Sequence, residues 1–437
     1  MSTILSQNEN NSPPAKSANT PPATQQNPLP APPPITAKKG LLARLGTQPD
    51  WSRLDDYQSS ITRTEFQRLL QHNYLQNDQS ADLLIEILAD RARILKQSNH
   101  PSAGYYDLLF LPATTDPSKL PPEVPRYWTP AWKLRAPLQR SKPLSDLHIV
   151  IDPGHIGGDF AQVEERWYRI GKNTLPITEG DMTLKVAKIM QNNLTALGAR
   201  VTLTRTEAQP VTSLRSNDLT TEARKWLARL PGSHKPSSYK LQHTAERLFY
   251  LSSEIRTRAK LINQQLKPDL VVCLHFNAEA WGNPKKPDFV EKNHNHILIN
   301  GCYSQNEIKE DDERLELLLR LLQRTYYYEL EMASEVAKAM SRSTDLPPYT
   351  YTGDNAKSVN DNPYIWTRNL LANRIYLCPV VFLEPYVMNN RQVHARVQSG
   401  DYPGIQKIEK KYRLNIYQEY ADSVTTGLVN YFKKHRN

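Results

Sequence analysis

The run Leu147-His-Ile-Val-Ile-Asp152 decides the fold, because it is almost entirely apolar and ends at the turn pair Pro153-Gly154, with His155 directly after it. This composition predicts a buried strand followed by a loop. An apolar stripe with helical spacing follows between Leu184 and Leu197, and then a second strand-like run, Arg200-Val-Thr-Leu-Thr204. Strand, helix and strand in this order predict one βαβ unit.

The same alternation continues toward the C-terminus. A helical stretch at 245–266 leads into Asp269-Leu-Val-Val-Cys-Leu274, and another at 332–340 precedes Pro379-Val-Val-Phe-Leu-Glu384. Strands that are apolar along their whole length are typical of parallel sheets covered on both faces. Residues 145–437 are therefore predicted to form an α/β domain, a largely parallel, twisted sheet flanked by helices.

The chain before this domain divides into three parts. Residues 1–40 hold nine prolines and no aromatic side chain, which predicts a disordered tail. Residues 41–111 are predicted to be a small, mainly helical module, since 62–65 form a capping box and 83–94 carry a second apolar face, before an extended segment at 105–111. Repeated prolines make 112–144 a connector.

Composition and charge limit the class of protein. The 437 residues are 39% hydrophobic, which is enough to bury a sizeable core, and the net charge of +10 favours anionic surfaces. The three cysteines lie far apart, so they indicate neither a disulfide framework nor a cysteine zinc site. Because no apolar run is long enough for a membrane span or a secretory signal, we expect a soluble chain without a readable export address.

Three predicted strands end in a residue that can bind a metal or exchange a proton: His155, His275 and Glu384. Glu179, at the predicted start of a helix, would face the same edge. Ligands of open α/β sheets bind beyond the carboxyl ends of the strands, so these side chains are expected to converge. Two histidines and one carboxylate can hold catalytic zinc, although single residues of this kind are more often ordinary hydrogen-bonded loop residues.

The order of these blocks resembles the zinc-dependent N-acetylmuramoyl-L-alanine amidases of the type 3 family, over about residues 145–435. The resemblance is carried by Ile149-Val-Ile-Asp-Pro-Gly-His155 with Gly157-Gly158, Glu179 opening a helix, Leu203-Thr-Arg205, Leu274-His-Phe-Asn-Ala278, and Val381-Phe-Leu-Glu-Pro385 with Asn389. It implies that His155, Glu179 and His275 bind one Zn²⁺ per chain and that Glu384 is the catalytic carboxylate.

The resemblance also implies a function and a place of action. It implies a hydrolase that cleaves the amide between N-acetylmuramic acid and L-alanine of the stem peptide, with peptidoglycan and not nucleic acid as its partner. The expected location is the cell envelope, periplasmic or secreted, while the missing signal leaves the cytoplasm open. Arg256 or Arg258 looks like the structural arginine of the family, and Asn277, Trp281 and Tyr386 are expected to line the substrate groove.

The sequence departs from the family pattern around the second ligand. Ile156 is inserted before the glycine pair, and Glu164 and Glu165 compete with Glu179 for the role of carboxylate ligand. Glu179 is preferred because Gly-Asp and an apolar helix follow it, as in the family. Long insertions occupy about residues 207–245 and 282–330.

The second insertion carries two further features. His294 and His296 form an H-x-H pair, for which an ordinary strand start is favoured over a second metal site. Residues 310–322 predict an amphipathic helix whose simpler role is packing on the domain. Because some amidases of this type carry a blocking helix in the corresponding region, the alternative is a lid that presents its leucines to the groove and Glu310 or Glu313 to the metal.

Two other functions stay open at the level of sequence. A catalytically silent wall-binding or regulatory protein on the same fold would need neither zinc nor Glu384, so the presence of all four residues argues against it. A metallo-amidase acting on soluble muropeptides is kept open by the missing export signal.

Overall fold

The computed structural model describes residues 45–77, 81, 84–112, 123–228, 236–280, 282–283, 286–359, 361–408 and 411–436. Their strands are β1 Ile85–Ile87, β2 Arg91–Leu95, β3 Tyr105–Leu109, β4 His148–Pro153, β5 Trp167–Tyr168, β6 Ile177–Thr178, β7 Arg200–Leu203, β8 Leu270–Leu274, β9 Gly282–Asn283, β10 Lys286–Pro287, β11 Ile297–Ile299, β12 Lys357–Ser358, β13 Ile365–Thr367, β14 Val380–Leu383, β15 Ile405–Ile408 and β16 Lys411–Leu414.

The α-helices of the described residues are α1 Arg63–Leu69, α2 Glu179–Ala196, α3 Thr220–Leu227, α4 Ser238–Arg247, α5 Glu254–Lys260, α6 Gln305–Lys309, α7 Asp311–Leu322, α8 Thr325–Thr344, α9 Leu371–Ile375, α10 Arg391–Gln398 and α11 Ile416–His435. π-Helical segments extend several of them, at Leu70–Tyr74, Leu248–Ser253 and Leu261–Leu266, and a separate 3-10 helix spans Trp51–Tyr57.

The central sheet joins seven of the described strands in the order β12-β13-β11-β14-β8-β4-β7. Strands β14, β8, β4 and β7 are parallel, whereas β11 runs antiparallel to β14. Every residue of β8 and β14 is buried, since α2, α8 and α11 cover one face and α5 and α9 the other. The predicted α/β fold with a largely parallel sheet is confirmed, and so is the βαβ unit formed by β4, α2 and β7.

This topology places the carboxyl ends of β4, β8 and β14 at one edge of the sheet. Because β4, β8 and β14 are parallel, their carboxyl ends lie together, and the antiparallel β11 begins at that same edge. Helix α2 starts there as well, directly after β6. The residues that follow β4, β8 and β14 and those that open α2 and β11 are therefore neighbours in space.

The N-terminal module contains more strand than the sequence indicated. Thr62 caps α1 by accepting a hydrogen bond from the Glu65 amide, as predicted, and 105–109 forms β3. The predicted second helix over 83–94 is wrong, because 85–87 form β1 and 91–95 form β2, with Ile85 opposite Ile94 in an antiparallel sheet. The alternation of buried Ala92 and Ile94 with half-buried Arg91 and Arg93 has the period of a strand.

The described part of the N-terminal module shares one hydrophobic core with the large sheet. Phe66 and Phe110, whose ring centroids lie 5.3 Å apart, belong to the same buried cluster as β4 and β8. Glu65 forms an ion pair with Arg324 at 2.9 Å, which joins α1 to the start of α8. The tail 1–40 lies outside the described residues. No helix in the described ranges is long and apolar enough to cross a membrane.

Helix α7 is part of the core and does not cover the cleft. Its leucines, Leu315, Leu317, Leu318, Leu319, Leu321 and Leu322, are buried in the main cluster. The Glu313 carboxylate lies 3.0 Å from Arg374 of α9, and Glu310 is buried at the start of the helix. These contacts contradict a lid that would present its leucines to the groove and Glu310 or Glu313 to a metal, and they assign the helix to packing.

Replacing Arg374 by methionine is predicted to destabilise the fold. Arg374 is fully buried between Glu313, at 3.0 Å, and Glu316, at 2.6 Å. Its loss leaves two carboxylates without their cation, which typically costs about 3 to 5 kcal/mol. The free energy of unfolding in urea measures the effect, and Arg342→Met on the exposed side of α8 is the control, expected to stay within about 0.5 kcal/mol of the wild type. Equal losses in the two variants would contradict the assignment.

Candidate functional site

The side chains of His155, Glu179 and His275 meet at the carboxyl edge of the sheet. His155 follows β4, His275 follows β8, and Glu179 is the first residue of α2. One nitrogen of each histidine and one carboxylate oxygen of Glu179 all lie within 4.8 Å of one another. Among the described residues, this is the cluster of three or more His, Cys, Asp or Glu side chains close enough to share one metal ion.

Glu179 lies between the two imidazoles. Its Oε2 is 3.3 Å from His155 Nε2 and its Oε1 is 3.2 Å from His275 Nδ1. The Glu179 side chain is 1% exposed, but the histidines keep about 15% and 14%, so one side of the cluster is open to the cleft. Burial alone would raise the pKa of Glu179, yet His155, His275 and Arg166 outweigh it and lower the pKa to about 2. The carboxylate is therefore ionised and ready to bind a cation.

Glu164 supports His155 from behind. Its Oε1 lies 3.5 Å from His155 Nδ1, and its Oε2 accepts hydrogen bonds from the amides of Ile156 and Gly157 at 2.8 and 3.1 Å. Burial would raise the pKa of Glu164, but His155 and these two amides outweigh it, so the pKa is lowered. An ionised carboxylate on the second nitrogen of a ligating histidine fixes the orientation and tautomer of the ring.

Arg166 reaches Glu179 from the other side. The Arg166 Nε lies 3.2 Å from Glu179 Oε2, and both side chains are buried. The amide of Phe276 donates a further hydrogen bond to Glu179 Oε1 at 3.1 Å. These contacts hold the carboxylate in one place at the N-terminus of α2, where the helix dipole also favours a negative charge.

Arg258 fixes the loop that carries His155. Its guanidinium donates to the Asp152 carboxylate at 2.9 Å, to the Pro153 carbonyl at 2.8 Å and to the His155 carbonyl at 2.9 Å. The His155 backbone is left-handed, with φ at +59°, a conformation that non-glycine residues adopt when surrounding contacts hold it. Arg256 instead lies 3.7 Å from Asp312 of α7. Of the two arginines considered from sequence, Arg258 is the one that contacts the site.

Two glycines permit the close approach of the elements. A Cβ at Gly154 would overlap the His275 ring, and one at Gly180 would overlap the backbone of Gly157. Both positions therefore require glycine for packing. This explains why Gly154 precedes His155 and why Gly180 follows Glu179.

Glu384 lies in the same cleft. It follows β14, is 1% exposed, and lines the cavity together with His155, Glu179 and His275. Phe382, two residues earlier, stacks on the His275 ring with centroids 4.5 Å apart. The lining also contains apolar side chains, namely Leu251, Ile255, Leu370, Leu371 and Ala372. A carboxylate in a largely desolvated cleft beside a candidate metal site is suited to proton transfer.

The side chains expected to line the groove behave differently. Tyr386 is 1% exposed, and its hydroxyl donates to Glu419 at 2.8 Å, so the prediction that it lines the groove is wrong and it belongs to the core. Asn277 is buried, and its backbone N–H donates a hydrogen bond to the Tyr386 carbonyl at 2.9 Å. It is absent from the described lining of the cleft. Trp281 lies outside the described residues.

Sequence reasoning missed the roles of Glu164 and Arg166. Glu164 was considered only as a competitor of Glu179, whereas it lies behind His155. A signal was present, since Glu164 and Arg166 lie in the loop between two ligand candidates and a charged residue in such a loop needs a partner. His294 and His296 have separate partners, Glu279 at 3.2 Å and the Tyr351 hydroxyl at 3.0 Å. They do not form a metal cluster in the described residues.

Solved structures of amidases are similar to the chain at low identity. Ami1, the N-acetylmuramyl-L-alanine amidase of Mycobacterium smegmatis, matches with 15% identity and a TM-score of 0.38, over 67% of this chain and 99% of that one. AmiC2 of Nostoc punctiforme matches with 15% identity and a TM-score of 0.35, over 66% and 99%. The catalytic domain of CwlV from Bacillus (Paenibacillus) polymyxa var. colistinus matches with 15% identity and a TM-score of 0.35, over 66% of this chain and 98% of that one.

No curated protein matches the chain. A family model, described as N-acetylmuramoyl-L-alanine amidase, matches residues 149–416. This range contains β4 except His148, together with α2, β8 and β14, and with them the four side chains that meet in the cleft. The chain therefore belongs to the N-acetylmuramoyl-L-alanine amidase family.

Proposed function

We propose that this amidase hydrolyses the bond between the lactyl group of N-acetylmuramic acid and L-alanine of the stem peptide at a single zinc ion, held by His155, Glu179 and His275. The observation that carries the proposal is the convergence of these three donors with Glu384 in one cleft. The family match supports the same amide as the target.

The donor set fits zinc. Two imidazoles and one carboxylate leave a fourth position for water or substrate, as in catalytic zinc sites. Glu164 behind His155 and Arg166 beside Glu179 supply the outer contacts that orient such ligands. A zinc ion bound here would act as a Lewis acid on the amide oxygen and would lower the pKa of water to about 7.

Glu384 is proposed as the general base and then the general acid. One oxygen of its carboxylate takes a proton from the attacking water while the new C–O bond forms at the lactyl carbonyl. The same group then gives that proton to the nitrogen of L-alanine as the C–N bond breaks. The products are a free lactyl carboxylic acid and a stem peptide with a free amine, so one water is consumed per bond.

The proposed substrate lies in the cell wall, and we place the enzyme in the cell envelope. The net charge of +10 supports attraction to anionic wall material. The soluble muropeptide is the alternative substrate, and a comparison of whole sacculi with their soluble fragments distinguishes the two.

Incubation of the purified protein with sacculi tests the bond and the metal together. We expect intact stem peptides whose N-terminus is a free L-alanine, identified by mass, and we expect a chelator to abolish their release. Released disaccharide peptides, or peptides lacking L-alanine, would contradict the proposed bond. Release that persists in the chelator would contradict the metal.

Glu384→Gln is predicted to lower kcat by about 10² to 10⁴-fold, because the amide cannot take the proton from water. Zinc content should stay at one per chain, since Glu384 is not among the proposed ligands. Glu331→Gln on the exposed side of α8 is the control. Turnover by Glu384→Gln at the rate of this control would contradict the assignment of the base.

Glu164→Gln is predicted to weaken zinc binding by about 10 to 100-fold, because it removes the charge that faces His155 Nδ1. Glu165→Gln is the matched control, since the neighbouring carboxylate is half-exposed and pairs with His243 at 2.9 Å instead. Competition with a fluorescent zinc chelator measures both affinities. Equal affinities in the two variants would show that Glu164 does not support the site.

A further inference from the structure

His296 is the cross-strand neighbour of Glu384. Ile297 and Leu298 of β11 pair with Leu383 and Phe382 of β14, and the Glu384 amide donates to the His296 carbonyl at 3.0 Å. Opposite residues of an antiparallel pair project from the same face, with Cβ atoms about 5 Å apart. The His296 imidazole therefore lies on the face of the sheet from which Glu384 enters the cleft, and it is 1% exposed.

A chain of hydrogen bonds leads from Arg368 through Tyr351 to Nε2 of His296. Arg368 Nη1 donates to the Tyr351 hydroxyl at 3.2 Å, and that hydroxyl lies 3.0 Å from His296 Nε2. Burial raises the pKa of Tyr351, so the hydroxyl keeps its proton. An arginine can only donate, so the Tyr351 hydroxyl accepts from Arg368, and we assign the proton of that hydroxyl to Nε2.

His296 is neutral and carries its proton on Nδ1. Burial lowers the pKa of His296 well below its usual value, and the nearby charges of His294 and Arg368 lower it further. A neutral imidazole whose Nε2 accepts has its single N–H at Nδ1. The tautomer follows from the hydrogen-bond network around the ring.

Nδ1 of His296 is buried and has no hydrogen-bond partner among the described residues. The His296 ring is surrounded by three other rings. Its centroid lies 5.9 Å from that of His294, 4.9 Å from that of Tyr349 and 5.4 Å from that of Tyr351. Glu384, in turn, is close enough to influence the pKa of Tyr349, Tyr351 and, from α11, Tyr420. A buried polar atom without a partner calls for a specific explanation, and a catalytic role is one of those that native proteins provide.

We propose that His296 is a positioning residue for Glu384: its Nδ1–H donates a hydrogen bond to the Glu384 carboxylate when substrate fills the cleft. Substrate closes the cleft around the carboxylate, and a hydrogen bond to an ionised acceptor is about twice as strong as a neutral one. The bond holds one oxygen of Glu384 and leaves the other to take the proton of the attacking water. This role rests on the proposed function of Glu384 as the base.

Two substitutions of His296 distinguish the contribution of Nδ1 from that of Nε2. The amide of asparagine takes the place of Nδ1, whereas that of glutamine takes the place of Nε2. His296→Asn keeps a donor toward Glu384, so we expect kcat within about threefold of the wild type. His296→Gln keeps the contact with Tyr351 and loses the donor, so we expect kcat to fall by about 10-fold or more at unchanged KM and zinc content.

Soluble muropeptides, prepared from sacculi with a muramidase, give the kcat and KM values. The control is His394→Gln, which removes another buried imidazole, one that packs on Phe289 at 5.0 Å, and which should leave kcat unchanged. Wild-type turnover tests the proposed function, and the ratio of each variant to the wild type tests the role of His296. If the wild type cleaves sacculi but leaves muropeptides intact, the same ratios are taken from the rate of stem-peptide release from sacculi. A wild type inactive on both substrates would contradict the proposed function and not the placement of His296.

The outcomes decide the role of His296. Equal kcat values for the asparagine and glutamine variants would overturn it, and so would a rise in KM at unchanged kcat, which would assign Nδ1 to the substrate. Tyr351→Phe provides a second route if either variant fails to fold, because it removes the proton that holds the tautomer. We expect it to lower kcat by about threefold or more without changing KM, and an unchanged kcat would contradict the proposal.

Discussion

The site depends on the hydrogen bonds of the Arg258 guanidinium, because they connect the end of β4 to the helix that precedes β8. It bonds to Asp152, to the carbonyls of Pro153 and His155, and to Glu254 on its own helix at 2.8 Å. Burial would raise the pKa of Asp152, but Arg258 and two hydroxyl donors lower it. Asp152 and Arg258 are therefore both charged at neutral pH. Their contacts hold His155 close to Glu179 and His275.

Charged residues surround the cluster in a second layer. Glu164 faces His155, Arg166 faces Glu179, and Arg205 donates to the Gly180 carbonyl at the start of α2 at 2.7 Å. Each of these side chains is buried and would be costly without its partner. The cost restricts the ligands to one arrangement before any metal binds, which reduces the ordering that binding requires.

Structural features that follow from local sequence patterns could be predicted, whereas contacts between residues distant in the sequence could not. The strands around His155, His275 and Glu384 were predictable, since continuous apolar runs are a local signal and the family blocks lie within them. The helix over 310–322 and its packing role were predictable as well, but the burial of Glu313 was not, because this carboxylate pairs with Arg374, which is 61 residues away. Tyr386 and Glu164 were misjudged for a similar reason: their partners, Glu419 and His155, are known only once the chain has folded.

The central claim is that two imidazoles and one carboxylate hold the zinc of this amidase. The X-ray absorption spectrum of the zinc-loaded protein at the zinc edge tests it most directly. We expect an inner shell of nitrogen and oxygen at about 2.0 to 2.2 Å with the multiple-scattering pattern of two imidazoles. A sulfur shell at about 2.3 Å, or a shell without imidazole scattering, would contradict it.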